Sequence, residues 1–215
     1  MVVKGCESMI YLAENLRNFR KQLGMTQEDV AEAVFVAPQS VSKWERGETT
    51  PDIALLPALA RLLEVSVDAL LGVERIHADE ARREVFSRAH ERYERGDYAG
   101  AAQVHREGLR RFPNDDGMLS ELALSLAMLP GGLEEAIAVS ERTLAGGCSE
   151  KIGHTVRAAL CLMYNMNGDG DAARKLAGTL PHVRESREEI FAALERSDVP
   201  GENERYLRFL TLGKW

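Results

Sequence analysis

The stretch from Met25 to Gly47, MTQEDVAEAVFVAPQSVSKWERG, restricts the fold more than any other part of this chain. Thr26 followed three residues later by Asp29 is a variant of the capping box, which predicts that a helix begins directly after Thr26. Residues 35–37 predict a turn, because Pro38 suits the first position of a following helix, where its missing N–H leaves no hydrogen bond unmade. The stretch therefore predicts two short helices joined by a tight turn, with a glycine ending the second.

One helix is predicted before this stretch. From Met9 to Leu23 apolar residues recur at steps of three and four, which is the period of an amphipathic helix, and Gly24 suits its C-terminal cap. Residues 1–8 lack that period and are expected to form a disordered leader, with Met9 as an alternative to Met1 for the first residue of the functional protein.

Two further helices are predicted after it. Thr50-Pro51 is expected to open a fourth helix, because a capping residue followed by proline is a common helix start. The apolar residues from Ile53 to Leu63 predict that this helix is largely buried, and Pro57 should bend it slightly. Ser66 is expected to cap a short fifth helix that ends at Gly72.

The rest of the chain is helical in pattern and becomes repetitive. Residues 73–80 are polar and are expected to form a linker to a second domain, residues 81–215. A glycine precedes an alanine by five positions three times, at intervals of 35 and 37 residues; the pairs are Gly96 with Ala101, Gly131 with Ala136 and Gly168 with Ala173. These intervals are close to the 34-residue unit of tetratricopeptide repeats. We therefore expect stacked helix pairs, with two more helices at residues 184–196 and 202–212 covering the last pair.

The charge of the chain limits the kinds of partner it binds. The net charge of −7 argues against a protein that coats nucleic acid without sequence preference. Residues 1–72 are also acidic, with 7 Lys or Arg against 10 Asp or Glu. Five of those seven cations lie in or beside the two-helix stretch, namely Arg17, Arg20, Lys21, Lys43 and Arg46. Any binding to DNA must therefore use a local basic face.

Other function classes find no support in the residue pattern. No apolar run approaches the roughly 18 residues of a membrane span, so we expect a soluble, cytoplasmic protein with no membrane partner. Cys6, Cys148 and Cys161 form no C-x-x-C pair and are expected to be free thiols, with Cys161 buried. The segment Asn165–Asp171 has the early ligands of an EF-hand loop, but the closing position is Leu176 instead of Glu, so a turn of the third repeat is expected. We expect no metal, no cofactor and no enzymatic activity.

From about Met9 to Gly72 the sequence resembles the DNA-binding domain of the Cro/phage-repressor (xenobiotic-response-element) regulators, through the segments MTQEDVAEAV, QSVSKWERG, PDI and LLEVSVDALLG. The resemblance implies that residues 9–72 form a five-helix repressor-type domain. The repeat spacing predicts that an α-solenoid of tetratricopeptide-like helix pairs follows it, so the whole chain is expected to have an all-α fold. The resemblance also implies a transcriptional regulator that binds a double-stranded DNA operator, with the recognition helix, residues 38–46, in the major groove. A homodimer is expected, because one subunit with so few cations would bind DNA weakly.

The resemblance places the base contacts on the outer face of the recognition helix. The implied residues are Pro38, Gln39, Ser42 and Lys43. Their chemistry fits, because an amide pairs bidentately with adenine, an ammonium reaches guanine O6 and N7, and proline meets a thymine methyl group. Contacts to phosphate are expected from Gln27, Ser40, Arg46, Arg17 and Lys21. The resemblance assigns Arg20 and Glu45 to a partly buried ion pair that braces the first helix against the third.

The role of the helical repeats is open to more than one interpretation. Stacked helix pairs form a concave groove, and the candidates for its lining are Phe86, His90, Tyr93, Ser125, Met128, Leu162 and Asn165. These repeats are expected either to dimerise the chain or to bind a peptide, a protein or another effector. An alternative is a protein-interaction adaptor, or an antitoxin-like protein, that acts mainly through its repeats. The set of Gln27, Gln39, Lys43 and Arg46 favours DNA binding over that alternative.

Overall fold

The computed structural model describes residues 6–180, 187–195 and 201–211, and the regular elements in this part of the chain are helices. The chain divides into two compact units, Met1–Ala81 and Arg82–Trp215. In chain order the helices are α1 (Cys6–Gln22), α2 (Gln27–Ala33), α3 (Pro38–Glu45), α4 (Leu56–Leu62), α5 (Val67–Leu71), α6 (Val73–Glu94), α7 (Tyr98–Arg111), α8 (Asp116–Ala127), α9 (Leu133–Ala145), α10 (Glu150–Met166), α11 (Gly170–Ala177), α12 (Arg187–Glu195) and α13 (Glu202–Thr211). The all-α fold class is confirmed. Within the described ranges, none of these helices has the length and apolar character needed to cross a lipid bilayer.

The two short helices predicted between Met25 and Gly47 are present as α2 and α3. Thr26 caps α2: its hydroxyl oxygen accepts a hydrogen bond from the Asp29 N–H (3.1 Å), and the Asp29 carboxylate accepts one from the Thr26 N–H (2.7 Å). Pro38 lies in the first turn of α3, as predicted. Between the helices, Phe35 has a φ of 56° and is 95% exposed. This left-handed residue reverses the chain within a few positions and so makes the turn tight.

The first unit has an apolar core to which helices α1 to α5 all contribute. Its buried members are Leu12, Leu16, Val30, Ala31, Val34, Val41, Trp44, Leu59, Ala60, Leu63 and Leu70. Because α3 supplies two of them, Val41 and Trp44, one face of α3 is part of the core.

The start of the fourth helix differs from the prediction. Thr50-Pro51 does not open it; Ile53–Leu55 first form a short 3-10 turn, capped by the Asp52 carboxylate, and α4 follows. Pro57 lies in the first turn of α4, where proline breaks no helical hydrogen bond, so the expected bend was wrong. Ile53 is 81% exposed instead of buried, because it belongs to the 3-10 turn and not to the helix.

Two segments that the sequence predicts to lie outside helices, the leader and the linker, are partly or wholly helical where the structure describes them. The expected disordered leader includes residues 1–5, which lie outside the described residues, and α1 begins at Cys6, three residues earlier than predicted. Residues 73–80, expected as a polar linker, form the first turns of α6. This segment contains no Gly or Pro that would interrupt a helix. It is also held against α1, where the Arg75 guanidinium donates to the Glu14 carboxylate at 2.9 Å.

The second unit consists of helix pairs joined by glycine turns. The three turn glycines have φ between 76° and 84°, the left-handed conformation that glycine adopts without steric cost; they are Gly96, Gly131 and Gly168. The three alanines that follow them are 0% exposed; they are Ala101, Ala136 and Ala173. Helix α8 packs on α7 and α9, and α10 packs on α9 and α11. The tetratricopeptide-like arrangement is confirmed.

The last two described helices, α12 and α13, correspond to the helices predicted at residues 184–196 and 202–212. Ile190 and Leu194 on α12 and Leu207 on α13 are buried in the core of the second unit. Both helices pack against α10. They therefore extend the core beyond the third helix pair.

Candidate nucleic-acid interface

The third helix has one buried face and one exposed face. Val41 is 0% exposed and packs in the core of the first unit. Pro38, Gln39 and Lys43 are exposed, and Ser42 is half-buried. Because residues four apart share one helix face, Gln39 lies beside Lys43, and Pro38 lies beside Ser42. The four residues predicted to contact bases thus form one outer surface of α3.

An ion pair links this helix to α1. Arg20 Nε donates to Glu45 Oε1 (2.5 Å) and Arg20 Nη2 donates to Glu45 Oε2 (2.9 Å), so the pairing is bidentate. The side chain of Glu45 is 3% exposed and that of Arg20 is 11% exposed. Burial opposes the ionisation of Glu45, but hydrogen bonds from Arg20 and Gln27 outweigh it and hold the pKa of Glu45 below its ordinary value. The geometry matches the bracing role that the resemblance implies.

Gln27 belongs to the same network. Its amide nitrogen donates to Glu45 Oε2 at 2.8 Å. Since Gln27 is the first residue of α2, one carboxylate on α3 holds side chains from both α1 and α2. Gln27 is predicted from the sequence to contact phosphate; in this structure its side-chain N–H is directed to Glu45, so a phosphate contact by that group requires an exchange of partners.

The other predicted phosphate contacts lie on α1 and α3. Arg17 and Lys21 are exposed on α1, one turn apart, and Ser40 is half-buried in the first turn of α3. Arg46 is exposed directly after the last residue of α3. These assignments, like those of the base contacts, stay predictions.

Glu48 is a charged residue at this surface that was not among those predicted from the sequence. Gly47, with a φ of 71°, ends α3 in a Schellman-type turn: its N–H donates to the Trp44 carbonyl (3.0 Å) and the Glu48 N–H donates to the Lys43 carbonyl (3.0 Å). This turn folds Glu48 back beside the end of α3. Its carboxylate there accepts hydrogen bonds from Arg46 Nε (2.5 Å) and Arg46 Nη2 (3.1 Å). The sequence signal that could have indicated Glu48 is Gly47, because a glycine that ends a helix commonly forms a Schellman turn. Such a turn places the next residue beside the end of the helix.

In the second unit, three of the seven predicted groove residues belong to the core. Tyr93, Ser125 and Leu162 are 2%, 1% and 0% exposed. The Ser125 hydroxyl donates to a carbonyl of its own helix at 2.8 Å. The other four are half-buried; they are Phe86, His90, Met128 and Asn165. The groove assignment of Tyr93, Ser125 and Leu162 is therefore corrected. The position of a residue in a repeat predicts its helix face but not how closely the next helix covers that face.

A cavity of about 370 Å³ lies elsewhere in the second unit, at the connections from α7 to α8 and from α9 to α10. Its lining includes the charged side chains of Asp116 and Arg142, the apolar side chain of Leu119 and the thiol of Cys148. None of the seven predicted groove residues lines it.

Two features that suggest metal or redox chemistry in the sequence have structural roles. Cys161 is 0% exposed, as predicted, and burial raises the pKa of its thiol to about 12. Within Asn165–Asp171, Gly168 has a φ of 84°, and the Asp169 carboxylate caps α11 by accepting from the Ala172 N–H at 3.0 Å. The segment that begins like an EF-hand loop is therefore the turn between α10 and α11.

The match to a known protein family lies within the first unit. Residues 16–70 match the helix-turn-helix family. A helix-turn-helix-type transcriptional regulator of Methanothermobacter thermautotrophicus is 42% identical over 48 residues, which are 22% of this chain and 70% of that protein. The helix-turn-helix-type transcriptional activator BcrR of Enterococcus faecalis is 33% identical over 63 residues, 29% of this chain and 31% of its own length. Like BcrR, most of the curated relatives are matched over less than two thirds of their length.

Among solved structures, PlcR of Bacillus thuringiensis, crystallised with a peptide and DNA, aligns with 95% of this chain and 88% of its own. The alignment has a TM-score of 0.40 and 14% sequence identity.

Proposed function

This chain belongs to the Cro/phage-repressor family of helix-turn-helix transcriptional regulators, and on that premise we propose that it binds a near-palindromic DNA operator as a homodimer. Each subunit places α3 in the major groove, and the two copies of α3 lie one helical turn of DNA apart. Gln39 and Lys43 read bases there, and Pro38 and Ser42 complete the reading surface.

The observation that carries this proposal is the division of α3 into a fixed inner face and an exposed outer face. Glu45 is bonded to Arg20 and Gln27, while Gln39 and Lys43 are exposed. Because these contacts fix the inner face of α3, the side chains on its outer face are presented in a defined geometry. Bidentate pairing with base edges requires such geometry.

Dimerisation supplies affinity that one subunit lacks. The first 72 residues carry only seven cations against ten acidic residues, and the sequence-independent part of DNA affinity comes from cations at phosphates. Two linked half-sites add their binding free energies, so a dimer binds far more tightly than either subunit alone. The helix pairs of the second unit are the proposed dimerisation region.

A comparison of variants tests the reading surface. Wild-type protein first selects an operator from random duplexes, and the affinity for that operator and for an unrelated duplex is then measured by fluorescence anisotropy at one salt concentration. Gln39→Ala and Lys43→Ala should each reduce the preference for the operator by about tenfold or more, since each loses a bidentate base contact. Arg61→Ala removes an exposed cation on α4 and is the matched control, which should keep the preference.

If both α3 variants keep the operator preference and the helical content of wild type, α3 does not read the operator. An equal loss in Arg61→Ala would indicate a general effect of positive charge. A selection that yields no preferred operator would favour the alternative of an adaptor or antitoxin-like protein that acts through its repeats.

A second role, effector binding, has its own support in the second unit. The cavity beside Asp116 and Arg142 is within the size range of small-molecule sites, and these two charged residues in its lining suit a polar molecule. A peptide in the predicted groove has less support, because Tyr93, Ser125 and Leu162 are core residues. Thermal-shift screening of polar metabolites against wild type and Arg142→Ala tests this role; a shift of equal size in both proteins would count against the cavity.

A further inference from the structure

Glu48 lies among three of the residues proposed to face DNA. It accepts two hydrogen bonds from Arg46, and Arg46 donates through Nη1 to the Ser42 hydroxyl. The hydrogen bonding from Arg46, together with the positive charges of Arg46 and Lys43, holds the pKa of Glu48 below its ordinary value. The carboxylate is therefore ionised at neutral pH. It interacts directly with Arg46, electrostatically with Lys43, and with Ser42 only through Arg46.

A guanidinium pairs with a carboxylate and with a phosphate in the same way, through two parallel N–H···O hydrogen bonds. Arg46 already uses Nε and Nη2 for Glu48. The same two groups cannot pair with Glu48 and with a DNA phosphate at the same time. Either the Glu48 pair breaks when DNA binds, or the negative charge of Glu48 stays paired beside the DNA backbone; both lower the affinity, whatever the base sequence.

We propose that Glu48 is an internal competitor of the DNA backbone for Arg46 and lowers the affinity of the α3 surface for every duplex by the same factor. This inference rests on the proposed function, because it takes α3 as the helix that faces DNA. The side chains of Arg46 and Glu48 are 53% and 51% exposed, so the pair is solvated and exchanges readily. By weakening each subunit, Glu48 makes binding depend more strongly on two half-sites being engaged together.

Glu48→Gln removes the charge and keeps the size of the side chain. In the full-length protein we expect the affinities for the selected operator and for an unrelated duplex to rise by one common factor, about threefold per subunit and about tenfold for a dimer on two half-sites. The gain should shrink as salt is added, because salt screens exposed charges. Glu32→Gln makes the same charge change at an exposed position of α2 and is the matched control, with a smaller gain.

A double variant separates competition for Arg46 from a general effect of charge. In an Arg46→Gln background there is no guanidinium to release, so adding Glu48→Gln should give no more affinity than adding Glu32→Gln. An undiminished gain in that background would overturn the competition. Thermal unfolding of each variant, followed by circular dichroism, confirms that the compared proteins are folded.

The failure of this inference can be told apart from failure of the proposed function. Wild-type protein that binds its selected operator no better than an unrelated duplex overturns the proposed function. Wild-type protein that prefers its operator, together with a Glu48→Gln variant that binds no tighter than Glu32→Gln, overturns the role of Glu48 alone. A change in the ratio of operator affinity to unrelated affinity also overturns it, because Glu48 would then act on base recognition.

Discussion

Glu45 and Glu48 lie three positions apart at the end of α3, but their surroundings give them different roles. The side chain of Glu45 is 3% exposed and is bonded to Arg20 and Gln27, whereas that of Glu48 is 51% exposed and is bonded to Arg46. A buried carboxylate must keep its partners, because an unpaired charge in the core is strongly unfavourable. An exposed carboxylate exchanges its partner for water at little cost. We therefore expect changes at Glu45 to affect folding and changes at Glu48 to affect DNA affinity.

Acid should destabilise the first unit through Glu45. Its pKa in the folded chain lies below the ordinary value of 4.5, so well above pH 4.5 the carboxylate is ionised in both the folded and the unfolded chain, and the ion pair contributes fully. As the pH falls below 4.5 the unfolded chain takes up the proton first, and the free energy of unfolding declines until the folded carboxyl is protonated as well. Denaturant unfolding, followed from about pH 7 down to about pH 3, measures this decline.

Glu45→Gln is the comparison for that experiment. At neutral pH the substitution should lower the free energy of unfolding by about 2 kcal/mol, because glutamine keeps some of the hydrogen bonds but leaves Arg20 without its counter-charge. Below pH 4.5 its free energy of unfolding should fall less steeply than that of wild type, since the other carboxylates are common to both proteins. Parallel pH curves for the two proteins would contradict the role assigned to Glu45.

Residue roles set by local backbone rules were predictable from the sequence, and roles set by the packing of separate segments were not. Thr26 and Pro38 occupy the helix positions that capping and proline rules predict. The bond from Gln27 to Glu45 joins α2 to α3, and its existence depends on how the two helices pack. Phe35 departs from the local rules, because a left-handed φ is uncommon for a bulky side chain. The tight turn between α2 and α3 imposes it.

At the scale of helices, side-chain caps predicted boundaries better than runs of apolar residues did. Ser66 caps α5 by accepting from the Ala69 N–H at 3.0 Å, and Gly72 ends that helix with a φ of 71°, both as predicted. Thr50-Pro51 follows a similar rule, yet the cap is Asp52, which precedes a 3-10 turn. When two capping residues lie this close together, the sequence does not determine which one is used, because the choice depends on how the following turn packs.

Helix α9 should tolerate a larger side chain on one face only. Ala136 is 0% exposed on this helix, which packs on α8 and α10, so Ala136→Leu should lower the free energy of unfolding by about 1–3 kcal/mol through overpacking. Ala138 is exposed on the same helix, and Ala138→Leu should change the free energy of unfolding by no more than about 0.5 kcal/mol. Urea unfolding of the two variants measures the difference. Equal stabilities would mean that α9 has room for a larger side chain at Ala136.

At the scale of the molecule, the sequence predicts the arrangement of helices better than it predicts which helix faces are exposed. The glycine and alanine spacing predicts the helix pairs, because both residue types are required where helices turn and approach. Tyr93, Ser125 and Leu162 occupy the predicted helix face but are buried. Whether such a face is open depends on the distance between successive helices, which no single repeat encodes. The first unit also ends at Ala81, later than the predicted end of the first domain at Gly72, because the first turns of α6 pack with α1.

The reactivity of the two described thiols should report the opening of the second unit. Burial raises the pKa of Cys161 to about 12, so at about pH 8 only about one molecule in ten thousand carries the thiolate that reacts. Cys148 is half-buried. In a Cys6→Ser chain treated with a thiol reagent, Cys148 should react at once and Cys161 only as the unit unfolds, at a rate that rises with denaturant. Peptide mapping by mass spectrometry distinguishes them, and rapid modification of Cys161 in native buffer would contradict the buried site.

The two faces of α3 also suit this chain to redesign. Val41, Trp44 and Glu45 attach the helix to the rest of its unit, while Gln39 and Lys43 are exposed. A combinatorial library confined to the outer positions would therefore sample new binding preferences without altering the contacts that fold the helix. Each member would share one scaffold, so differences in binding between members would be attributable to the varied side chains themselves.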